Sequence, residues 1–249
     1  MIRLAVAGAV GRTGSRVVEL AGRDDRFEVV AALTVAGCSE IGKPIRADGC
    51  DVVVSDRLNA ACDVLIDFSL PVGTMAWLAV CKQRSIAMVI GATGHTSEQL
   101  AEIREAEKQI PIVRASNFSV GIQALMGLVG KLAVELGEAY DVEIVETHHK
   151  NKIDAPSGTA LSLADEIARA TGRTRDDVIF GREGKTGERP SRQIGIHAVR
   201  MGEVVGEHEI HFSGPGETIT LRHRAHSRDA FAAGALRAAA RVAAERLDQ

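Results

Sequence analysis

Residues 2–20 read IRLAVAGAVGRTGSRVVEL, and this stretch decides the fold of the first half of the chain. A short apolar run, a glycine-rich segment and a run with apolar residues at helical spacing predict a strand, a tight turn and a helix. Gly8, Gly11 and Gly14 have the spacing G-x-x-G-x-x-G. Such glycines let a backbone approach a pyrophosphate, while the helix N-terminus offers N–H groups to the phosphates. The stretch predicts a dinucleotide site; the alternative is a tight turn that binds no ligand.

Composition and charge limit the kinds of protein this chain can be. Its 249 residues, 45% hydrophobic and 25% charged, suit one large globular domain or two modest ones. The net charge of -3 argues against a general nucleic-acid binder. The sequence starts with a strand pattern instead of a secretion signal, and its longest uncharged stretch, 118–130, is shorter than a bilayer span. We therefore expect a cytoplasmic protein that binds neither nucleic acid nor membrane.

The four cysteines are Cys38, Cys50, Cys62 and Cys81. They lack the C-x-x-C spacing of zinc sites and thioredoxin-type redox sites. Reduced thiols are the expectation, and no metal site is predicted.

Strand and helix patterns alternate up to about residue 117. Strands are predicted at 2–8, 27–34, 63–69, 86–94 and 111–116, and helices at 12–22, 71–84 and 97–109. This alternation is typical of right-handed βαβ units, which place helices on both faces of a parallel sheet.

The pattern changes after residue 117. The segments predicted there are a long apolar helix at 118–137, a strand at 141–147, a helix at 158–171, a polar loop at 173–193, strands at 194–200, 203–214 and 217–225, and a last helix at 228–247. The three late strands have no helix-length spacer between them, which predicts an antiparallel meander. The fold class is α/β: a Rossmann-like doubly wound parallel sheet plus an α+β domain with an open mixed sheet.

The end of the second predicted strand, Leu33-Thr34-Val35, lacks the acid that usually binds ribose hydroxyls. The nearest carboxylate downstream is Glu40. A neutral strand end does not repel a 2′-phosphate, and Arg12 in the glycine loop could pair with one. The sequence leans toward NADPH or toward use of both NADPH and NADH. The alternative for Arg12 is an ordinary solvated arginine.

A second glycine turn, GATG at 91–94, follows another strand of the same sheet. Ligands of doubly wound sheets bind outside the carboxyl ends of the strands, where this turn could offer backbone groups to a nicotinamide amide. The alternative is a simple turn.

Residues 148–160, HHKNKIDAPSGTA, gather positive charge and polar groups in one loop. Ser157 is a plausible N-cap for the helix that follows, and Gly158 and Thr159 would present backbone N–H groups at its start. With Lys152 nearby, this arrangement suits a bound carboxylate.

His148 and His149 titrate near neutral pH, so either could act as acid or base. The alternative for each is a surface histidine. Metal binding is less favoured, because adjacent histidines do not easily face one metal and no H-E-x-x-H spacing occurs. The remaining histidines of the late strands are interpreted as structural or surface residues, of which one could approach the site: His197, His208, His211, His223 and His226.

These motifs together resemble the dihydrodipicolinate reductase family, from residue 2 to about residue 240. The most specific part is EIVETHHKNKIDAPSGTA at 143–160. The other matching segments are AGAVGRTG at 7–14, GATG at 91–94, SNFSVG at 116–121 and RMGEVVGEHEIHF at 200–212.

The resemblance implies an enzyme of the diaminopimelate route to lysine that reduces a small cyclic dicarboxylate with NADH or NADPH. By position, His148 would be the acid/base residue, Lys152 its partner in protonating the substrate, and His149 a contact to a substrate carboxylate. Ser157, Gly158 and Thr159 would bind a carboxylate. The cofactor residues expected from the glycine turns and the resemblance are Gly8, Val10, Gly11, Arg12, Thr13, Gly14, Thr34, Gly91, Thr93, Gly94, Ser116 and Phe118.

The resemblance also implies that two parts of the chain bind different ligands. Residues 1–117 and 228–249 would bind the dinucleotide, and 118–227 would bind the substrate and form a homotetramer through its sheets. Three features depart from the family pattern: Thr34-Val35 replaces a charged pair, Gln123 stands where asparagine is usual, and the sequence given ends at Gln249 without the usual short extension.

Two other functions remain open from the sequence. One is a nucleotide-sensing protein without catalysis. The other is an oxidoreductase such as a semialdehyde dehydrogenase, whose chemistry usually needs a thiol nucleophile. No cysteine lies near the basic loop in sequence, which counts against the second function.

Overall fold

The computed structural model describes residues 1–47 and 50–247. The chain divides into two compact units. Unit 1 contains Met1–Ser119 and the C-terminal segment that begins at Arg228, and unit 2 is Val120–Ser227. Each unit has its own sheet and its own hydrophobic core. The predicted domain end at Gln249 lies outside the described residues.

Unit 1 begins with the alternating strands and helices that the sequence predicts. Its elements up to Ser119 are β1 (Ile2–Ala7), α1 (Gly14–Gly22), β2 (Phe27–Leu33), β3 (Pro44–Ala47), β4 (Cys50–Ser55), β5 (Val64–Asp67), α2 (Pro71–Arg84), β6 (Ala87–Ile90), α3 (Ser97–Ala106) and β7 (Ile112–Arg114). Helix α1 starts at Gly14 instead of residue 12 because the glycine turn continues through Thr13.

Unit 2 follows with a helix-covered sheet. Its elements are α4 (Val120–Leu136), β8 (Asp141–His148), α5 (Gly158–Thr171), β9 (Val178–Phe180), β10 (Ile194–Arg200), β11 (Gly206–Gly214) and β12 (Glu217–Ala225). The chain then returns to unit 1 with α6 (Asp229–Leu247).

The unit 1 sheet has the order β3-β4-β2-β1-β5-β6-β7. All neighbouring pairs are parallel except β3 with β4 at one edge. In β1, Leu4 and Val6 pack in one core with α1 and α6, while Ala5 and Ala7 pack in a second core with α2 and α3. Both faces are therefore covered, which explains the continuous apolar run of β1. The predicted doubly wound sheet is confirmed.

The β3–β4 hairpin is an addition to the prediction. Its strands are short and lie at the sheet edge, and Val53 is largely exposed, so the segment has neither a long apolar run nor clear alternation.

The unit 2 sheet has the order β12-β11-β8-β10-β9. One of its faces packs against α4 and α5 through residues such as Ile144, Phe212 and Leu163. Strand β10 is parallel to β8 and β9, whereas β11 is antiparallel to β8 and β12, so the predicted open mixed sheet is confirmed.

The predicted antiparallel meander of the three late strands is wrong. Only β11 and β12 form a hairpin, and β8 lies between β10 and β11. The backbone N–H and C=O groups of β8, a buried central strand, need a partner along each edge, and β10 and β11 supply one each. The predicted polar loop at 173–193 also contains β9, a strand of three residues that is too short to give a periodic signal.

One helical stretch, Val120–Ala139, has the length and apolar composition of a membrane span. The sequence analysis did not predict this, because it considered only the shorter uncharged stretch at 118–130. The indication is weak, because core helices of soluble proteins pass the same test. Within unit 2, α4 packs closely on α5: a Cβ added at Gly130 would lie 3.0 Å from the Cβ of Ala170.

Candidate functional site

The predicted nucleotide-binding segments meet at one edge of the unit 1 sheet. The glycine turn follows β1, Thr34 follows β2, the GATG turn follows β6, and Ser116 comes shortly after β7. Because β1, β2, β5, β6 and β7 are parallel, their carboxyl ends lie along the same edge. That edge is where doubly wound sheets bind nucleotides.

Two positions of the glycine turn have no room for a side chain. Gly8 has a positive φ of 73°, and a Cβ there would lie 2.5 Å from the carbonyl oxygen of Phe68. A Cβ at Gly14 would lie 2.1 Å from the carbonyl oxygen of Gly8. The N–H of Gly11 donates to the same oxygen at 2.9 Å, which closes the turn. The turn is therefore compact, and its glycines keep the start of α1 open to a ligand.

The start of α1 is suited to an anion. Among the described residues, no side chain caps it at Thr13, and its first turn carries no acid. Backbone N–H groups at such a helix start attract phosphate. Val10 and Arg12 are exposed on the turn, as is Thr93 on the GATG turn.

Two of the expected cofactor residues are buried. Thr34 is 7% exposed, and its N–H donates to the carbonyl oxygen of Ser55 at 2.9 Å. The Phe118 side chain is in the core, edge-on to Phe68 with ring centroids 6.3 Å apart. This placement leaves the main chain around Phe118, rather than its ring, for contact with a nucleotide.

A second group of polar residues lies at the same edge. Asp67 ends β5 and is fully buried; it accepts hydrogen bonds from the Ser69 N–H at 2.8 Å and the Thr74 hydroxyl at 2.5 Å. Burial raises the pKa of Asp67 and lowers that of His95, which follows the GATG turn. Asp67, Ser69 and Thr74 shape the start of α2, and the sequence analysis did not single out these residues or His95.

In unit 2, the basic loop begins at the end of β8. Residues two apart in a strand face the same side, so Glu146 and His148 lie together. Nδ1 of His148 is 2.5 Å from Oε2 of Glu146, and both side chains are buried. The remaining ring nitrogen, Nε2, faces Gly206 on β11, where an added Cβ would be 3.1 Å away. The glycine leaves space beside that nitrogen.

Three N–H donors and one ring nitrogen of His148 surround the Glu146 carboxylate. Oε2 accepts from one terminal nitrogen of Arg200 at 2.8 Å and also faces Nδ1 of His148; Oε1 accepts from the other terminal nitrogen at 2.8 Å and from the Ser157 N–H at 2.9 Å. Burial alone would raise the pKa of Glu146, but the hydrogen bonds from His148 and Arg200 outweigh it and hold the pKa at about 2. Glu146 is therefore an ionised, acceptor-only group.

His208 lies against the other side of the site. Its ring is edge-on to that of His148 with centroids 5.3 Å apart, and its Nε2 is 3.0 Å from the Ser157 hydroxyl. Burial, reinforced by the neighbouring His148, lowers the pKa of His208 to about 3. His208 is therefore neutral at neutral pH, whereas Glu146, which accepts from the N–H of the same Ser157, is charged.

The prediction that Ser157 caps the helix after the basic loop is confirmed. Ser157 precedes α5, and its hydroxyl accepts from the Ala160 N–H at 3.2 Å. Gly158 and Thr159 are the first residues of the helix, where backbone N–H groups lack intrahelical acceptors. Lys152 lies upstream and pairs with Asp154 at 2.7 Å.

The loop after β8 is tied to the loop after β10. The Met201 N–H donates to the carbonyl oxygen of His148 at 2.9 Å, and the Lys150 N–H to that of Gly202 at 3.1 Å. His149 is buried at 6% exposure within this loop. Unit 2 thus brings His148, Lys152 and Ser157 into one region of the sheet edge.

Two site residues, Glu146 and Arg200, escaped the sequence analysis, and His208 was named there only as one of five histidines of which one could approach the site. Strand register explains their positions, since Arg200 is opposite His148 and His208 is opposite Glu146. The spacing of Glu146 and His148 in a strand was available as a signal. The other two required knowledge that β10 and β11 flank β8. Of the late-strand histidines, His208 is a buried neighbour of His148.

Within residues 1–47 and 50–247, no group of three or more His, Cys, Asp or Glu side chains is placed to hold a metal ion. Cys62 and Cys81 are buried free thiols, and burial raises the pKa of these to about 11 and about 12.

Comparison with known proteins gives two family models, described as dihydrodipicolinate reductase N-terminus, over residues 2–118, and C-terminus, over residues 121–248. A 4-hydroxy-tetrahydrodipicolinate reductase of Myxococcus xanthus (strain DK1622) is 44% identical over 252 residues, covering 98% of this chain and 93% of the relative. That of Dechloromonas aromatica (strain RCB) is 43% identical over 244 residues, covering 95% and 91%.

Solved structures agree. A dipicolinate-bound dihydrodipicolinate reductase from Paenisporosarcina sp. TG-14 superposes with a TM-score of 0.71 at 28% identity, covering 98% of this chain and 95% of that one. An aspartate semialdehyde dehydrogenase II from Vibrio cholerae has a TM-score of 0.59 at 12% identity, covering 99% and 98%, a likeness that shows the fold alone. The resemblance seen in the motifs is confirmed: the chain is an oxidoreductase that belongs to the dihydrodipicolinate reductase family.

Proposed function

We propose that this chain reduces 4-hydroxy-tetrahydrodipicolinate, also called dihydrodipicolinate, to tetrahydrodipicolinate in the diaminopimelate pathway of lysine biosynthesis. Family membership supports the reaction class. The observation that carries the proposal is the placement of a histidine–carboxylate pair, His148 with Glu146, beside the start of α5. The His148–Glu146 pair could exchange a proton with the substrate, and the start of α5 could hold one of its carboxylates. The reduction of a cyclic dicarboxylate requires both.

The unit 1 edge fits a nicotinamide nucleotide. At Gly8 and Gly14 a Cβ would collide with backbone, and the start of α1 offers N–H groups to phosphate. The main chain of the GATG turn and of the Ser116–Phe118 segment would hold the nicotinamide end. A bound reduced nucleotide would supply the hydride.

The residues of unit 2 would supply the rest of the chemistry. The N–H groups of Gly158 and Thr159, with Lys152 and His149, would hold and orient the substrate carboxylates. His148 would exchange the proton at Nε2, with Lys152 as its partner. Lys152 would have to leave Asp154 to reach a substrate, and a negatively charged substrate would compete with Asp154 for it.

The cofactor would be NADPH or either nucleotide. Thr34 and Val35, which follow β2, stand in place of a charged pair. No carboxylate at these two positions repels a 2′-phosphate, and the exposed Arg12 could attract one. We further propose that unit 1 is the dinucleotide-binding domain and that unit 2 is the substrate-binding and tetramerisation domain of a cytoplasmic homotetramer.

A direct assay tests the function. The purified chain, given freshly generated dihydrodipicolinate, should consume NADPH or NADH, measured by loss of reduced-nicotinamide absorbance. The ratio of the two kcat/KM values gives the cofactor preference. A nucleotide-sensing protein would bind NADPH without consuming it, and that result would overturn the proposal.

A semialdehyde dehydrogenase is the other candidate that the shared fold raises. It would need a thiol nucleophile. All four cysteines lie in the first 81 residues, outside unit 2, and burial raises the pKa of Cys62 and Cys81 well above neutral. Phosphate-dependent reduction of NADP⁺ with aspartate semialdehyde in the same assay would support that candidate instead.

A further inference from the structure

We propose that Glu146, clamped by Arg200 and the Ser157 N–H, is a positioning residue that fixes which nitrogen of His148 carries a proton. The inference rests on the proposed function, since it assigns a role for Glu146 toward the acid/base residue of that reaction. The geometry that carries it is the arrangement of donors around one buried carboxylate.

Three N–H groups donate to Glu146 whatever the tautomer of His148. Arg200 donates to both oxygens, the Ser157 N–H to Oε1, and His148 meets Oε2 through Nδ1. Because an ionised carboxylate only accepts, Nδ1 of neutral His148 must carry the hydrogen. Nε2 is then the nitrogen that accepts or delivers the catalytic proton, and it faces the space left by Gly206.

The carboxylate is itself held in place. Arg200 is anchored further by donating to the carbonyl oxygen of Asp154 at 2.6 Å, and Ser157 by capping α5. Glu146 is fully buried, so a rotation would leave these donors without an acceptor at a high cost. Glu146 thus connects His148, the proposed acid/base residue, to the start of α5, the proposed carboxylate site.

Replacing Glu146 with Gln gives a specific expectation. A glutamine has one acceptor oxygen and one donor NH₂ group. The Ser157 N–H belongs to the backbone and cannot rearrange, so the oxygen must face it. The NH₂ group then faces His148, and Nδ1 has to accept. Neutral His148 would carry its hydrogen on Nε2, the wrong tautomer for the reaction.

The test combines kinetics with NMR of the full chain. In E146Q we expect kcat to fall by roughly 10²–10⁴, as is typical when a positioned acid/base residue is held in the wrong tautomer. KM should change by less than about 10-fold, because the start of α5 keeps its backbone donors. The ¹⁵N shifts of the neutral His148 ring can be assigned because they are absent in H148Q. They should show an Nδ1–H pattern in the wild type and an Nε2–H pattern in E146Q.

A matched control is available on the same strand. Glu143 also has a pKa of about 2, because hydrogen bonds from Arg182, His197 and Arg189 outweigh its burial, but it lies on the opposite face of β8. E143Q should leave the His148 tautomer unchanged. Glu146→Asp, which keeps an acceptor-only group, should retain the Nδ1–H pattern and at least about 10-fold more activity than E146Q.

Two results would overturn the proposal: an Nε2–H pattern for His148 in the wild type or in Glu146→Asp, or wild-type kcat in E146Q. The Asp variant keeps the test open should E146Q not fold. The tautomer is read without turnover, so an inactive wild type would refute the proposed function while leaving this result interpretable.

Discussion

Glu146 and His208 are neighbours with opposite responses to burial. The carboxylate accepts from three N–H donors, faces Nδ1 of His148 and keeps its charge with a pKa of about 2, whereas the imidazole of His208 has one hydroxyl partner and loses its charge, with a pKa of about 3. Desolvation disfavours charge at both positions, and only Glu146 has enough donors to offset it. Such divergence is typical of acid/base sites.

His208 should make the stability of the protein depend on pH. The ordinary imidazole pKa is 6.5, so between that value and about 3 the unfolded chain binds a proton that the folded chain excludes. The stability contributed by neutral His208 is present above about pH 6.5 and is lost as the pH falls toward 3. From this residue we expect the free energy of unfolding to drop by about 2 kcal/mol between about pH 7 and pH 5.

Urea unfolding across that pH range measures the effect. The unfolding free energy should depend less steeply on pH in His208→Gln than in the wild type. The pH dependence should be unchanged in His211→Gln, which alters a partly exposed histidine of the same strand. Equal slopes in the wild type and His208→Gln would show that His208 is not held neutral.

At this scale the sequence identifies residues whose role depends on near neighbours. His148, Lys152 and Ser157 follow from the motif and from the helix start that comes after it. Glu146 needs only the two-residue period of a strand. Arg200 and His208 lie far beyond His148 in the sequence, and only the pairing of β10 and β11 with β8 brings them together. No local pattern contains that pairing.

At the scale of elements, the turn from β1 into α1 depends on the absence of side chains. A Cβ at Gly14 would meet the carbonyl oxygen of Gly8, so Gly14→Ala must displace backbone within the proposed phosphate loop. We expect a loss of roughly 1–3 kcal/mol in unfolding free energy. We also expect the Kd for NADPH to rise by at least about 10-fold, measured by fluorescence titration.

The control is Gly127→Ala in α4, where an added Cβ meets nothing within 4 Å. Alanine is favoured over glycine in a helix interior, so stability should rise by about 0.5–1 kcal/mol and nucleotide binding should not change. If Gly14→Ala bound NADPH as tightly as this control, the glycine turn would not be the phosphate site.

The elements that the sequence predicts well carry a strong local signal: the continuous apolar run of β1, the proline at the start of α2 and the alternating pattern of β8. The β3–β4 hairpin and β9 are short edge elements whose stability comes from their neighbours, so their sequences carry little signal. The meander prediction failed because turn signals show where strands end but not which strands pair.

At the scale of the whole molecule, the two units present two different arrangements of polar groups. The edge of the unit 1 sheet presents backbone donors suited to phosphates, and unit 2 presents the His148–Glu146 pair next to a helix start. The division follows from the folds: a parallel sheet gathers loops at one edge, and the unit 2 sheet places side chains from neighbouring strands that are not consecutive in the sequence side by side. We propose that hydride transfer uses the first arrangement and proton transfer the second.

The measurement that tests this account most directly is the turnover of His148→Gln with dihydrodipicolinate and NADPH, compared with the wild type and with His211→Gln. His211 lies on β11 and bonds Thr220, away from His148, so its variant controls for the loss of a histidine from the sheet. We predict that His148→Gln lowers kcat by roughly 10²–10⁴ while dipicolinate binding changes little, because in the proposed function His148 exchanges the proton and the start of α5 holds the carboxylate. A His148→Gln variant that turns over at nearly the wild-type rate would contradict the account.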